Sequence, residues 1–451
     1  MSVKIFIAFT IVSISSMFPN NAFMNAHEYF YYKLRNVTHD EDPVNTTSSW
    51  FIKRQIREDA PTELQANFEA YLTVYGSIAC VLGSILNVFA TKSLSNSTRM
   101  IWGHLLVVVV FIPTIVLTLI NFDDDQSFFF NLSMGLISIA CFGSLGMMAG
   151  GVLGLSALFP SKYTQAVMIG QSCAGVLAAL MSILCQAVTS NVILNGQMYF
   201  GFSLLMCFIS LATYYYLTTL TPPIELETVD DMNGLIDNQE VQGFDDVNEV
   251  SIEAQASHFP PIDSDVTSEN ILEDGPKWAM YTDIIKKSSI DLTTISVVLI
   301  VTLAAYPGLT SLVHSTSRNH TWNSYFSAVA SFLLYNVGDL IGRSSANSLR
   351  LPRKYLLVIA FFRFLLIPMI AMCNVSPRSH THAMIPYDGV FVLLVILLSI
   401  SHGFCITNAT IGATMSIEKQ SRELAGSIIS LIGVTAAMMG GVLGVLIIKL
   451  V

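Results

Sequence analysis

Asp339 and Arg343 stand four residues apart inside the stretch LLYNVGDLIGRSS, residues 333–345. On a helix that spacing stacks the two side chains on one face, with Asn336 joining them one turn earlier. A guanidinium is a planar fork of hydrogen-bond donors, and an ionised carboxylate only accepts. Together they suit a polar solute carrying neighbouring hydroxyl groups, each of which both donates and accepts. Spacing leaves a second reading open, an ion pair that only stabilises its own helix. Either way a dry site penalises both ions heavily, so the pair must face protein or a hydrated path.

The elements that must position this pair are apolar. Of 451 residues, 53% are hydrophobic and only 12% charged, with a mean hydropathy of +0.59. Long apolar runs recur along almost the whole chain, which predicts an all-α polytopic membrane protein. The expected spans are about 3–30, 69–91, 101–121, 128–157, 163–188, 198–219, 290–313, 324–345, 355–373, 387–410 and 424–450. That makes eleven transmembrane helices in a six-plus-five arrangement. The first run has the look of a secretory signal but lacks a clean small-x-small cleavage site, so it is expected to stay as a helix.

Three units follow: a six-helix bundle over 1–219 with a polar outer loop over 32–68, an acidic linker over 220–289, and a five-helix bundle over 290–451. Of the net charge of −10, the stretch from Glu225 to Asp283 carries −15, with sixteen acids against one lysine, leaving about +5 elsewhere. The linker has too few apolar residues to build a core and is expected to be disordered. Its acidity argues against a nucleic-acid partner. Asp231 followed by Leu235 and Ile236 has the spacing of a dileucine sorting signal.

Short-loop charges set the orientation. Lys92, Arg99, Lys162, Arg350, Arg353, Lys354, Lys419 and Arg422 fall on one side, against Arg318, Arg378 and Lys449 on the other. This places the N-terminus and linker in the cytoplasm and the C-terminus outside. The sequons at Asn36, Asn45 and Asn319 then face outward and are expected to be glycosylated. The membrane is expected to be the plasma membrane, with an endolysosomal membrane as the alternative.

Other chemistries find no support. There is no phosphate-binding loop, no nucleophile elbow and no Cys/His cluster, so an enzyme, an ATP-driven pump and a metal site are not indicated, and no cofactor is implied. Gly143, Gly146, Gly150 and Gly154 line one side of the fourth span, and Gly426, Gly433, Gly440 and Gly444 repeat the device in the last. Such bare faces permit close helix approach. Pro19 bends the first span locally, and Asn20, Asn21 and Asn25 after it should face the bundle interior, as should Gln171. Pro307 is expected to kink the seventh span.

The motifs FPNNAFMNAHEYF, ALFPSKYTQAVMIGQSCAG, NHTWNSYF, YNVGDLIGR, CNVSPR and ELAGSI, in this order, resemble the equilibrative nucleoside transporter family, solute carrier family 29, across essentially the whole chain. The resemblance implies a fold like the major facilitator superfamily with one helix missing, and alternating access of the two halves around a central site. It implies facilitative transport of nucleosides across the lipid bilayer; the sequence leaves the oligomeric state open, and a monomer is expected to function. It further implies that Asp339 and Arg343 recognise the ribose hydroxyls, with Asn336, Phe332, Asn21 and Met24 around the substrate. Two positions depart from the family: Asn20 stands where many members have Trp, and Ala149 where many have Gln. Sugar recognition is thus expected to be kept and base recognition altered. Transport of organic cations or nucleobases, and a non-transporting sensor on the same scaffold, are the competing functions.

Overall fold

The computed structural model describes residues 2–36, 62–189, 191–220, 277–319, 322–323, 326–376, 378 and 383–451. Six long helices form the first half: α1 (Ser2–Asn25), α2 (Glu63–Ala90), α3 (Asn96–Leu119), α4 (Gln126–Ala157), α5 (Ser161–Val188) and α6 (Val192–Leu220). The second half contains α7 (Ser289–Ala305), α8 (a π-helical Ser327–Leu333 running into the α-helical Leu334–Ser345), α9 (Arg353–Ala371), α10 (Asp388–Met415) and α11 (Arg422–Leu450).

Helix starts follow from local sequence. Thr62 and Gln65 form a reciprocal capping box at α2, and both also bond backward, Thr62 to the Leu34 carbonyl and Gln65 to that of Tyr31. The exit of α1 is thereby tied to the entry of α2. Ser95 and Asp125 cap α3 and α4 in the same way, each accepting from a backbone N–H three residues on. The seventh span is interrupted where a break was expected: α7 ends at Ala305, and after Tyr306 and Pro307 a short turn of helix covers Gly308–Ser311.

Ten helices among the described residues are long and apolar enough to cross a membrane. The eighth of the eleven expected spans is not among them. Its π- and α-helical parts, of 7 and 12 residues, give it a length near 28 Å at about 1.5 Å per residue, but it carries Asn336, Asp339 and Arg343. The outer surface displays large apolar side chains such as Leu119, Val109 and Phe362, as a bilayer-facing surface should.

Within the first half α1 lies against α5 and α6, and within the second α7 packs on α11 and α8 on α10. Across the halves α11 meets α2 and α4, and α5 meets α8. The glycine faces act as expected: a Cβ on Gly146 would fall 2.8 Å from the Gly83 Cα, and one on Gly426 2.5 Å from the Gly154 Cα. Backbones touch there, so only glycine fits.

Two sequence expectations need correction. Arg99 is no loop charge; it sits in the first turn of α3 and is fully buried by partners described below. The linker boundary at 289 is too late, because Lys277–Lys287 forms a helix whose Ile284 packs with Val88 of α2 and Ile417, Leu424 and Ile428 near the start of α11. The polar stretch 32–68 runs into the first turns of α2, which begins at Glu63, ahead of the apolar stretch Tyr71–Ala90. Asn45, the sorting-like motif and the rest of the linker lie outside the described residues; Asn36 and Asn319 are exposed.

Candidate functional site

Between the halves lies a cavity of about 350 Å³. The first half contributes Asn20, Asn21, Met24, Ala149 and Gln171; the second contributes Phe332, Asn336, Arg343, Tyr306 and His402. That volume is within the range of small-molecule sites.

Asp339 and Arg343 are brought together as spacing dictates, with exposures of 4% and 5%. Arg343 Nε donates to both carboxylate oxygens of Asp339, at 3.1 and 3.0 Å. Its Nη1 donates to the Met168 carbonyl at 3.0 Å and to Gln171 Oε1 at 3.1 Å, both on α5. The two partners are not equivalent. Arg343 lines the cavity; Asp339 does not, because Ser172 Oγ donates to it from α5 and the carboxylate is turned into the contact between helices. Glycines make this seating possible: a Cβ at Gly403 of α10 would stand 2.1 Å from the Asp339 carbonyl oxygen, and one at Gly338 2.0 Å from Ser399 Oγ.

The remaining expected residues all reach the cavity. Asn336 donates to the Phe332 carbonyl and to the Tyr306 hydroxyl, at 2.9 and 3.4 Å, and its amide oxygen fills the space over Gly175. Phe332 meets Tyr306 edge-on at 5.9 Å, while Tyr306 stacks on Tyr335 at 3.7 Å. Among the described residues the Asn20 side chain bonds to sulfur alone, accepting from Cys141 Sγ at 3.6 Å and donating to Met24 Sδ at 3.7 Å. Asn21 and Met24 share this wall, and Ala149 leaves it flat.

Behind the cavity stands a group the sequence reading overlooked. Arg363, in the middle of α9, is 3% exposed and donates to the carbonyls of Val298 and Leu398 and to Thr302 Oγ1, at 3.2, 3.0 and 2.6 Å. Thr302 in turn bonds His402 Nδ1 at 2.9 Å. The signal for Arg363 was the one used for Arg343, a charge in the middle of an apolar run.

At one end of the cavity the halves are latched. Arg99 bonds Glu423 of α11 and Asn87 Oδ1 of α2, the latter at 2.7 Å; Asn96 also reaches Glu423, and Asn87 reaches Ser427 Oγ at 3.3 Å. On the same side Gln165 of α5 donates to the carbonyls of Arg343 and Ser344, both at 3.1 Å. The helix Lys277–Lys287 lies here too. Hydrogen bonds from Lys287 to Asp283 and to Glu418 hold that ammonium above the usual lysine pKa range. All seven cysteines are free, and no cluster suited to a metal ion occurs among the described residues.

The family model described as "Nucleoside transporter" matches residues 133–449. Equilibrative nucleoside transporter 2 of Mus musculus is 26% identical over 447 residues, covering 94% of this chain and 92% of its own length. Equilibrative nucleoside transporter 1 of Homo sapiens is 23% identical over 448 residues, with the same coverage. In fold the chain is similar to the major facilitator superfamily proton:xylose symporter XylE, with a TM-score of 0.60 at 12% identity, over 99% of this chain and 94% of that one. The protein is an integral, multi-pass membrane protein and not an enzyme, and it belongs to the nucleoside transporter family.

Proposed function

We propose that this chain carries nucleosides down their gradient by alternating access of the α1–α6 and α7–α11 halves, with α8 as an eleventh crossing. The observation that carries the reading is the guanidinium of Arg343 in the wall of a cavity between the halves, with Asn336 two turns away on the same helix face. Arg343 and Asn336 hold the ribose hydroxyls. Asp339 acts one step back: it fixes the guanidinium and balances its charge, so the arginine enters the cavity already oriented. The base lies toward Asn20, Asn21, Met24 and the flat wall at Ala149.

The lining favours this over organic cations. Among the described residues the cavity wall carries no carboxylate, and the charge of its arginine is balanced by Asp339 behind it. A neutral sugar-bearing solute suits such a wall, which offers a cation no counter-charge of its own.

The latch from Arg99 and Asn87 to Glu423 and Ser427 gathers at the end where basic short-loop residues collect, which the charge rule assigns to the cytoplasm. The conformation is therefore one closed inward, and transport requires this latch to part.

Uptake of radiolabelled uridine and adenosine by transporter-deficient cells expressing the protein tests the reading. Saturable uptake above that of control cells is expected for at least one nucleoside. Surface expression verified by biotinylation, with uptake of both no higher than control, rejects it.

A further inference from the structure

His402 of α10 is 5% exposed, yet its ring lines the cavity beside Arg343. The hydrogen bonds behind it fix which ring nitrogen carries the proton. Arg363 can only donate, so the lone pairs of Thr302 Oγ1 receive the guanidinium, and the Thr302 hydroxyl hydrogen is free to point elsewhere. Its neighbour at 2.9 Å is His402 Nδ1. The arrangement that leaves no hydrogen idle has Thr302 donating to Nδ1, which puts the ring proton on Nε2. On that side Asp339 Oδ1 stands at 3.9 Å, beyond hydrogen-bond reach. An N–H donor is thus held open at the cavity surface, with its direction set from behind and no hydrogen-bond acceptor among the described residues.

In a hydrated cavity water takes such a donor, and its place in the same wall as Arg343 puts it where a substrate oxygen would take over that bond. We propose that His402 Nε2–H donates to a sugar hydroxyl oxygen of the transported nucleoside, and that Arg363 and Thr302 are positioning residues that hold the ring in that tautomer. The inference rests on the nucleoside reading above and sharpens it: the sugar end is read by a neutral donor from α10 as well as by the groups of α8. Tyr335, whose ring stacks on Tyr306, lies near the imidazole, with 6.1 Å between ring centroids.

Competition separates this role from a purely structural one. Uridine and its 2′-, 3′- and 5′-deoxy analogues are compared as inhibitors of radiolabelled uridine uptake, and the ratio of each analogue's half-inhibitory concentration to that of uridine is taken. These ratios do not depend on how much protein reaches the surface. In the unsubstituted protein at least one ratio is expected to be about three to ten, the size of one lost hydrogen bond. His402→Asn retains a group at the Nδ1 position but removes the distal donor, so that ratio falls toward one. His402→Gln places an amide N–H near the Nε2 position and keeps the ratio. Thr302→Val lowers it part of the way, and Thr302→Ser leaves it unchanged. Ratios that stay the same in His402→Asn, or that fall equally in His402→Gln, overturn the proposal, as does an unsubstituted protein that treats all three deoxy analogues like uridine. Saturable uridine uptake with unresponsive ratios defeats this inference alone, whereas absence of any nucleoside uptake defeats the functional reading beneath it.

Discussion

Two of the ion pairs among the described residues have nearly the same chemistry and opposite placement. Asp339 and Arg343 lie one turn apart on α8, so their bond survives any rigid movement of the halves. Arg99 and Glu423 are on α3 and α11, so their bond must break if the halves separate at that end. The surroundings differ accordingly. The α8 pair is about 5% exposed on both partners and is braced from α5 by Ser172, Gln171 and the Met168 carbonyl. In the latch, Arg99 is fully buried but the Glu423 side chain is 28% exposed. A pair with one partner open to water is far less costly to part than one sealed on both sides. One pair is built to hold a shape and the other to let go.

The largest effect follows from breaking the sealed pair. Arg343→Ala removes a cavity donor and strands Asp339 without its counter-ion; losing one partner of a buried pair costs about 3–5 kcal/mol. Uptake is expected to fall by more than about a hundredfold. Asp339→Asn leaves the arginine in the wall but loosens its aim, so uptake efficiency should drop severely yet less far. Uptake normalised to surface biotinylation measures both. Equal, complete loss in the two variants would give Asp339 a direct part in binding, and unchanged uptake in either would remove that residue from the site.

The latch comes next. Glu423→Gln keeps the size and the hydrogen bond from Asn96 while removing the charge opposite Arg99. A charge-assisted bond to a partly exposed partner is worth about 1.5 kcal/mol, so the balance between inward-closed and inward-open forms moves by about tenfold. External uridine should bind more weakly, and a cysteine placed by Ser427→Cys should react faster with a thiol reagent added from the cytoplasmic side. Unaltered labelling would mean that the pair is not what holds that end shut. The double exchange Arg99→Glu with Glu423→Arg should recover part of the loss.

This difference explains which features sequence could disclose. Asp339 and Arg343 announced themselves because both signs stand one turn apart within a single apolar span, a local pattern. Which of the two faces the cavity was not local: Ser172, 167 positions earlier, turns the carboxylate inward. Arg99 was visible as a charge, but its sequence neighbours Asn96, Ser97 and Thr98 read as a loop, and the partner that buries it lies 324 positions away. His402 sits alone in an apolar run, and only the fold supplies the Thr302–Arg363 relay that gives it direction. The bare glycine faces were legible as close-approach surfaces, though not that Gly154 and Gly426 meet across the halves beside the latch. The fold class came from composition, and the departure in span count came from the same polar residues that make α8 a site.

The same contrast between braced and loose surroundings exists inside the cavity itself. Arg343 is fixed by bonds to Asp339, Gln171 and a backbone carbonyl, whereas Asn20 at the opposite wall has two sulfur contacts near 3.6 and 3.7 Å, weak bonds that leave the amide free to shift. A loosely held amide facing a flat Ala149 offers a base little to stack on. Asn20→Trp restores the residue that many family members carry there and adds an aromatic face, whose contact with a planar base contributes about 0.5–1.5 kcal/mol. Half-inhibitory concentrations of adenosine and uridine should both fall, by about threefold, with the larger purine gaining more, while the ratios for the deoxy analogues stay as they were. Inhibition curves for the five nucleosides in this one variant measure both ends of the cavity at once. A change in the deoxy ratios would show that the two ends are coupled through α1 and α5, and that the rigid seat assigned to Arg343 yields when the far wall is rebuilt.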